Sequence, residues 1–326
     1  MGREGMRLAI LSDVHGNMPA LEAVLADAQA LGAGQVIVAG DSTGGSHSRQ
    51  AVERLREMGA TVIRGNNEDY VLDYDEGRAP ADWYVASRWA PMRFVWEQFD
   101  AAGLEYLASL PHERVVAPEG VERVRVVHGS PGSTRRHVLP GGDERVMREF
   151  RQSGINVAGC MPVHEALASV EEPVLVCGHS HIQWVWQVDG RLAVNPGSVG
   201  GPINGDWRAQ YAVLAWQGGG WQVELRAVAY DRAAAWLDAD ESGFLDVGGA
   251  FARACLLNIE EGRNVPGYLV NHSIRLAAEM GYTWDDMPEE VWARAVDTFD
   301  WTAFPAVHEV RGYSQEVRGY SREVAR

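Results

Sequence analysis

Seven side chains able to bind a metal stand at the ends of five short apolar runs. Residues 7–12 lead into Asp13-Val14-His15, residues 35–40 into Asp41 and residues 61–65 into Asn66. Residues 124–127 lead into His128, and residues 174–178 into His179-Ser180-His181. Two carboxylates, one amide and four imidazoles form a mixed oxygen and nitrogen donor set. Such a set suits borderline transition metals better than calcium or magnesium. The runs are rich in Val and Ile and read as buried strands. Ligands of open α/β sheets bind beyond the carboxyl ends of the strands, so these donors are expected to meet in one crevice. The chemistry predicted is that of a two-metal site, in which cations ~3.5–4 Å apart clamp the attacking and leaving oxygens of an in-line displacement.

The order and context of these residues resemble the calcineurin-like metallophosphoesterase superfamily, and within it the small bacterial and archaeal phosphodiesterase branch. The matching text is Asp13-Val14-His15, Gly40-Asp41, Gly65-Asn66, His128-Gly129 and Gly178-His179-Ser180-His181. Flanking agreement comes from Leu11-Ser12 before the first motif, Gly16-Asn17 after it, and Asn195-Pro196-Gly197-Ser198-Val199-Gly200. Single dipeptides such as Gly-Asp also mark turns. Five in order, each after a strand-like run, supply the context that makes a motif specific. The resemblance covers residues 6–231.

It implies an α/β fold, a four-layer αββα sandwich of two packed mixed β-sheets. It also implies that Asp13, His15, Asp41 and His181 hold one metal and Asp41, Asn66, His128 and His179 the other, with Asp41 bridging. Two divalent transition metal ions are expected, manganese first, with iron, zinc, cobalt and nickel as alternatives. The implied reaction is in-line attack on phosphorus by a hydroxide bridging the ions, without a covalent enzyme intermediate. Asp41, Asn66, His128 and Arg64 are the residues implied to act catalytically. Arg64 directly precedes Gly65-Asn66, as an arginine does in several phosphatases of the superfamily, and is expected on a phosphate oxygen, with a plain salt bridge as the alternative.

One departure from the family text is informative. Many members read Gly-Asn-His followed by Asp or Glu, where the His is thought to protonate the leaving group or stabilise the phosphate. This chain reads Gly65-Asn66-Asn67-Glu68. An amide cannot serve as a general acid. His47 and His137 are candidate substitutes, and Arg135-Arg136 a basic pair suited to a second phosphate or an acidic substrate group. Asn67 joins these four as a candidate substrate contact. His112, His164, His272 and His308 are expected to be structural or surface residues.

Bulk properties narrow the function classes. The chain has 326 residues, long enough for one large domain and an appendage. Its 29 basic and 45 acidic residues give a formal charge of −16, which opposes a broad grip on nucleic acid or anionic membrane. The metal ions would instead draw a small anionic phosphoester. Every basic residue is Arg; no Lys occurs. Schiff-base chemistry and P-loops, which need a lysine amine, are thereby excluded. Cys160, Cys177 and Cys255 are odd in number and form no C-x-x-C, so reduced thiols are expected. Residues 1–6 show no apolar signal segment, and no apolar stretch approaches spanning length. The expected location is cytoplasmic. A phosphodiesterase for small molecules leads; a phosphomonoesterase, phosphoprotein phosphatase or pyrophosphate hydrolase follows, then a nuclease or metal-binding scaffold.

The positioning elements follow from periodicity. Strand and helix alternate over the first hundred residues, with helices near 21–31 and 49–58. Residues 82–110 are helical and aromatic, and aromatics at this spacing are expected to pack, with a substrate-wall role as the alternative. Paired strands are expected at 113–117 and 123–127, then at 174–177, 182–188, 192–194, 210–216 and 221–228, with hairpins at Asp189-Gly190 and Gly218-Gly219-Gly220. Three helices are expected at 249–261, 266–280 and 288–299. The resulting division is a catalytic domain over 1–240, a C-terminal helical appendage over 241–304 and a repetitive, flexible tail over 305–326. Trp284, Trp292 and Trp301 exceed what three exposed helices should carry, so these helices are expected to shape the substrate entrance or form a homo-oligomer contact.

Overall fold

The first strand, β1 (Arg7–Leu11), is buried from its second residue onward, and its two faces meet different layers. Leu8 and Ile10 point into the core between two sheets, whereas Ala9 and Leu11 point at covering helices. The structure, a computed structural model, describes residues 5–141, 144–305 and the backbone of 313–314.

In chain order, β1 is followed by α1 (Met18–Ala30), β2 (Gln35–Val38), α2 (Ser48–Glu57), β3 (Thr61–Val62) and α3 (Asn66–Asp75). Then come α4 (Ala90–Glu97), α5 (Ala101–Ser109), β4 (Glu113–Val116), β5 (Val124–Val127) and β6 (Val138–Leu139). Next are α6 (Glu144–Gln152), β7 (Met161–Pro162), α7 (Val163–Ala168), β8 (Val174–Val176), β9 (Gln183–Val188) and β10 (Arg191–Pro196). The chain continues through β11 (Ala209–Gln217), β12 (Gly220–Val228), α8 (Arg232–Glu241), α9 (Phe244–Glu261), α10 (Val265–Glu279), α11 (Glu289–Thr298) and β13 (Tyr313–Ser314).

One sheet has the order β12-β11-β1-β2-β3, the other β13-β9-β10-β8-β5-β4. Both are mixed: β1, β2 and β3 run parallel, as do β5, β8 and β10, with antiparallel strands completing each sheet. Val126, Val176, Val194, Leu214 and Val223 join Leu8 and Ile10 in the core between the sheets. The outer faces pack on α1, α2, α3 and α5 on one side and on α6 and α7 on the other. This is the four-layer sandwich, with parallel central strands reading as continuous apolar runs because both faces are covered.

Local chemistry explains the helix ends. Asn17 caps α1 by accepting from the Ala20 N–H, and Pro19 occupies its first turn. Asn264 caps α10 in the same way, from the Gly267 N–H. The third strand stops three residues before the end of its run at 65, because the Arg64 N–H leaves the sheet for the Pro111 carbonyl at 2.8 Å. Two turns of sequence give both hairpins, β9–β10 and β11–β12, where Gly and Asp supply positive φ.

The C-terminal helices dock on the sandwich. Asn258 donates to the Pro202 carbonyl (2.7 Å), Gly205 to that of Gly262 (2.8 Å), and the Tyr268 hydroxyl to that of Gln152 (2.9 Å). Trp292 is buried and Trp284 and Trp301 half-buried in their own apolar cluster. Of the repetitive tail, Tyr313–Ser314 pairs in parallel with β9; the expectation of flexibility otherwise falls outside the described residues. Among the described residues no helix is long and apolar enough to cross a membrane. All three cysteines are free thiols.

Glu172 provides a stability test away from the site. Buried just before β8, it accepts from Arg125 of the neighbouring β5 at 3.0 and 3.4 Å. Burial opposes its charge, but the Arg125 hydrogen bonds, a backbone hydrogen bond and the nearby charges of Arg125 and Arg123 together hold its carboxyl below the usual range. A depressed carboxyl contributes stability above its unfolded value and loses it as pH falls through the folded one. Glu172→Gln should therefore cost ~1 kcal/mol at pH 7. In urea titrations the gap to the native protein should close as the pH falls below the usual carboxylate range; a gap independent of pH counts against the pair.

Candidate metal centre and its cavity

The five strand ends deliver their donors to one place. Asp13, His15 and His181 present ligand atoms within 4.8 Å of one another, as do Asp13, Asp41 and His128. Five of the seven donors, Asp13, His15, Asp41, His179 and His181, have φ between 49 and 64°, the left-handed region. Non-glycine residues rarely adopt it, and strain of ~1–3 kcal/mol each persists only where the surroundings over-determine it. Here the loops are tied together: the Asp13 N–H reaches the Gly40 carbonyl (3.1 Å), the His15 N–H that of Asp41 (3.1 Å) and the Gly200 N–H that of Asp13 (2.9 Å).

The hydrogen bonds of the imidazoles set their tautomers. His15 Nδ1 lies 3.1 Å from the Thr43 carbonyl and His181 Nδ1 2.7 Å from that of Gly201. A carbonyl only accepts, so both Nδ1 atoms carry protons and both neutral rings present Nε2 lone pairs. Those two Nε2 atoms face each other at 3.1 Å, and His181 Nε2 is 3.2 Å from Asp13 Oδ1, which is buried without a hydrogen-bond partner. Three acceptors crowding one volume repel one another unless a cation or an added proton joins them. This donor set fits a divalent metal.

The second group is built alike. His128 Nδ1 donates to the Ala39 carbonyl at 2.7 Å, leaving Nε2 at 3.1 Å from Asn66 Oδ1 and 3.5 Å from Asp41 Oδ1. His179 Nε2 donates to the Arg135 carbonyl (3.1 Å), which leaves Nδ1 for a ligand, and its ring lies 5.1 Å from that of His128. Burial opposes charge on Asp13 and Asp41, but His181 and His128 respectively outweigh it. Both carboxyls are lowered, Asp41 to about 2. Burial opposes the cationic form of His128 too, yet Asp41 and Asp13 raise it to about 10.

Glu68 is a functional residue that motif reading missed. Fully buried, it accepts from the backbone N–H groups of Asp41 (2.9 Å), Thr43 (3.0 Å) and Gly65 (2.7 Å). It thereby clamps the Asp41 loop to the start of α3, where Asn66 sits. The signal was available, since an acid three residues into a helix reaches back to the N-cap backbone. Gly65 is equally constrained: a Cβ there would lie 2.2 Å from Asp41 Oδ1 and 2.5 Å from the Asp41 nitrogen. Gly65→Ala is expected to cost ~1–3 kcal/mol of stability by overpacking and to displace Asp41. Thermal melting and metal content should both fall, whereas loss of neither would show that the loops can separate freely.

Four of these donors, His15, Asn66, His179 and His181, line a cavity of about 480 Å³ together with Asn67 and His137. Asn67 bonds the proposed bridging carboxylate, its Nδ2 to Asp41 Oδ2 (2.5 Å) and its N–H to Oδ1 (2.9 Å). His137 stacks on His179 at 4.1 Å, with Nδ1 buried and unpartnered. Burial, with His181 and His128 nearby, lowers it to about 4.

The other expected contacts lie elsewhere. Arg64 does not reach phosphate in this arrangement: Nη2 donates to the Ala108 and Leu110 carbonyls (2.7 and 3.0 Å), closing the end of α5, and Nη1 is 3.6 Å from Asp69. His47 turns to Asp238 at 3.7 Å. Arg135 lies over the Tyr70 ring and 3.6 Å from Asp73, and Arg136 donates to the Gly159 carbonyl. None of these four lines the cavity. His112 is exposed beside Asp69, and His272 bonds Thr298; His308 lies outside the described residues.

Residues 6–219 match the family model described as the calcineurin-like phosphoesterase superfamily domain. The chain is 25% identical over 244 residues to an uncharacterized protein of Methanocaldococcus jannaschii, covering 69% of this chain and 88% of that one. Its structure is similar to that of a metallophosphoesterase from Sphaerobacter thermophilus, with a TM-score of 0.59, 25% identity, and coverage of 79% of this chain and 100% of that one. A hypothetical protein from Pyrococcus horikoshii OT3 shares the fold, with a TM-score of 0.56, 20% identity, and coverage of 76% and 97%. The chain therefore belongs to the calcineurin-like phosphoesterase superfamily, a metal-dependent family, and is a hydrolase acting on phosphoric esters.

Proposed function

We propose that this protein hydrolyses small phosphodiesters at a dinuclear metal centre, with manganese the first ion to test. What carries this reading is the crowding of lone pairs from Asp13, His15 and His181, beside the second group of Asp41, Asn66, His128 and His179. When bound, two divalent ions would supply Lewis acidity and compensate the charge that gathers on phosphoryl oxygens.

The protein's own residues do the rest. In this reading Asp41 would serve both ions; it is steadied by Asn67 and, through its backbone, by Glu68. The backbone carbonyls of Thr43, Gly201 and Ala39 keep three imidazoles in the tautomer that offers Nε2. Asn67 donates hydrogen bonds at the floor but has no proton to give an alkoxide. His137 is the imidazole on the cavity wall that stands outside the proposed ligand set. The −16 charge and the small roofed cavity favour a small ester over nucleic acid.

Purified protein supplied with manganese should be assayed on bis(p-nitrophenyl) phosphate, p-nitrophenyl phosphate and single-stranded DNA. Faster cleavage of the diester than of the monoester, with DNA untouched, is expected. A preference for the monoester or for DNA would overturn the substrate class, and retention of metal without any hydrolysis would favour a scaffold.

A further inference from the structure

The cavity is lopsided in its chemistry. Below lie the imidazoles and amides of the candidate metal centre. Above, α4, α9 and α10 supply a roof that includes Met92, Phe251, Ile259 and Val270, with Trp89 and Trp284 beside them. Apolar area along this wall far exceeds what positioning a phosphate requires, and such surface is ordinarily covered in a soluble protein.

Fixed positive charge is scarce there. Arg88 is the arginine among the lining residues. Its Nη2 is held by Asp82 at 2.7 Å, its Nη1 by the Met287 carbonyl at 3.0 Å, and its Nε is itself buried. Asp238 adds a carboxylate to the wall. A second phosphate or carboxylate on a substrate would thus meet carbon, a like charge and neutral amides such as Asn156 and Asn264, with the one lining arginine already engaged. A volume of about 480 Å³ lies in the range of small-molecule sites, ~300–1,000 Å³.

We propose that the substrate is a phosphodiester with a single phosphate, whose non-leaving group is an apolar or aromatic body seated against Phe251 and Val270. This deepens the phosphodiesterase reading and rests on it. It sets polyphosphates and substrates with additional anionic groups aside.

The test keeps the leaving group constant. Manganese-loaded protein is given methyl, naphthylmethyl and 2-carboxyethyl esters of p-nitrophenyl phosphate, all releasing p-nitrophenolate. The naphthylmethyl ester should have a kcat/KM at least ~10-fold above that of the methyl ester, mainly through KM, as expected for uniform burial of an apolar group. The carboxyethyl ester should fall below the methyl ester. In Phe251→Ala the naphthylmethyl-to-methyl ratio should shrink toward one, and Phe251→Leu should restore much of it. Val270→Ala, on the neighbouring helix, gives the same readout if Phe251→Ala does not fold. A native ratio near one, or a ratio unchanged in both alanine variants, overturns the inference while leaving the phosphodiesterase reading intact. Cleavage of none of the three esters overturns that reading, and the inference with it.

Discussion

Asp41→Asn is expected to lower turnover by ~10³-fold or more and to halve or abolish bound metal, with the fold retained. Changes in residues that merely support metal ligands cost ~10–100-fold, and Asp41 is proposed to serve two ions at once. Removing its charge weakens both positions without removing volume. The substitution keeps the volume, and the Glu68 clamp on the Asp41 backbone remains, but Asn67 donates to both carboxylate oxygens and an amide offers only one, so one of its two bonds is lost. Elemental analysis after gel filtration, alongside circular dichroism and the diester assay, separates the effects. Near-normal turnover with two metals retained would end the bridging assignment. A further finding sharpens the comparison: Asp13 shares a ligand cluster with His15 and His181 and another with Asp41 and His128. Asp13→Asn should therefore also deplete metal, and a smaller loss than in Asp41→Asn is what the bridging role demands.

A steep dependence on the leaving group is the second large effect. General-acid assistance is worth ~10²–10⁴-fold, and Asn67 stands where many relatives of this family text place a histidine. Without that acid, diesters leaving as p-nitrophenolate should be cleaved orders of magnitude faster than those leaving as simple alkoxides. Asn67→His should narrow the gap. The structure separates the two candidate substitutes, since His137 lines the cavity, whereas His47 is not among the lining residues and turns to the Asp238 carboxylate. If the native dependence is shallow and becomes steep in His137→Ala, then His137 supplies the proton and the Asn67 argument fails. His47→Ala serves as the comparison, expected to leave the slope where it was.

Some of this protein could be read from its residues alone. The seven proposed donors follow five apolar runs, so strand, loop and ligand are written within a few neighbouring positions. Parallel strands then bring the runs together by rules that apply to any sheet of this class. The four-layer sandwich was expected from the family resemblance of the motifs, since periodicity alone supports only an α/β chain. Both hairpins and the three C-terminal helices were legible in the residues themselves. Their signals are local: period, Pro, Gly and Asn-capped starts.

Other features depended on where side chains end up. Arg64 adjoins Gly65-Asn66 in sequence, but the end of α5 offers its guanidinium bare carbonyls, and no local pattern reveals that. His137 and His47 looked equivalent beside their motifs; stacking on His179 and proximity to Asp238 distinguish them. Glu68 drew no role from its text because its partners, Thr43 and Asp41, lie 25 and 27 positions away. The aromatic segment both packs and walls the cavity, as Trp83 stacking on Trp89 at 4.1 Å and Trp89 at the lining show. The sequence by itself determined which donors could bind metal and the layers that carry them. Only tertiary structure decided what surrounds those donors, because a cavity is formed by surfaces of elements far apart in the chain, and its shape and charge depend on which groups have already found partners.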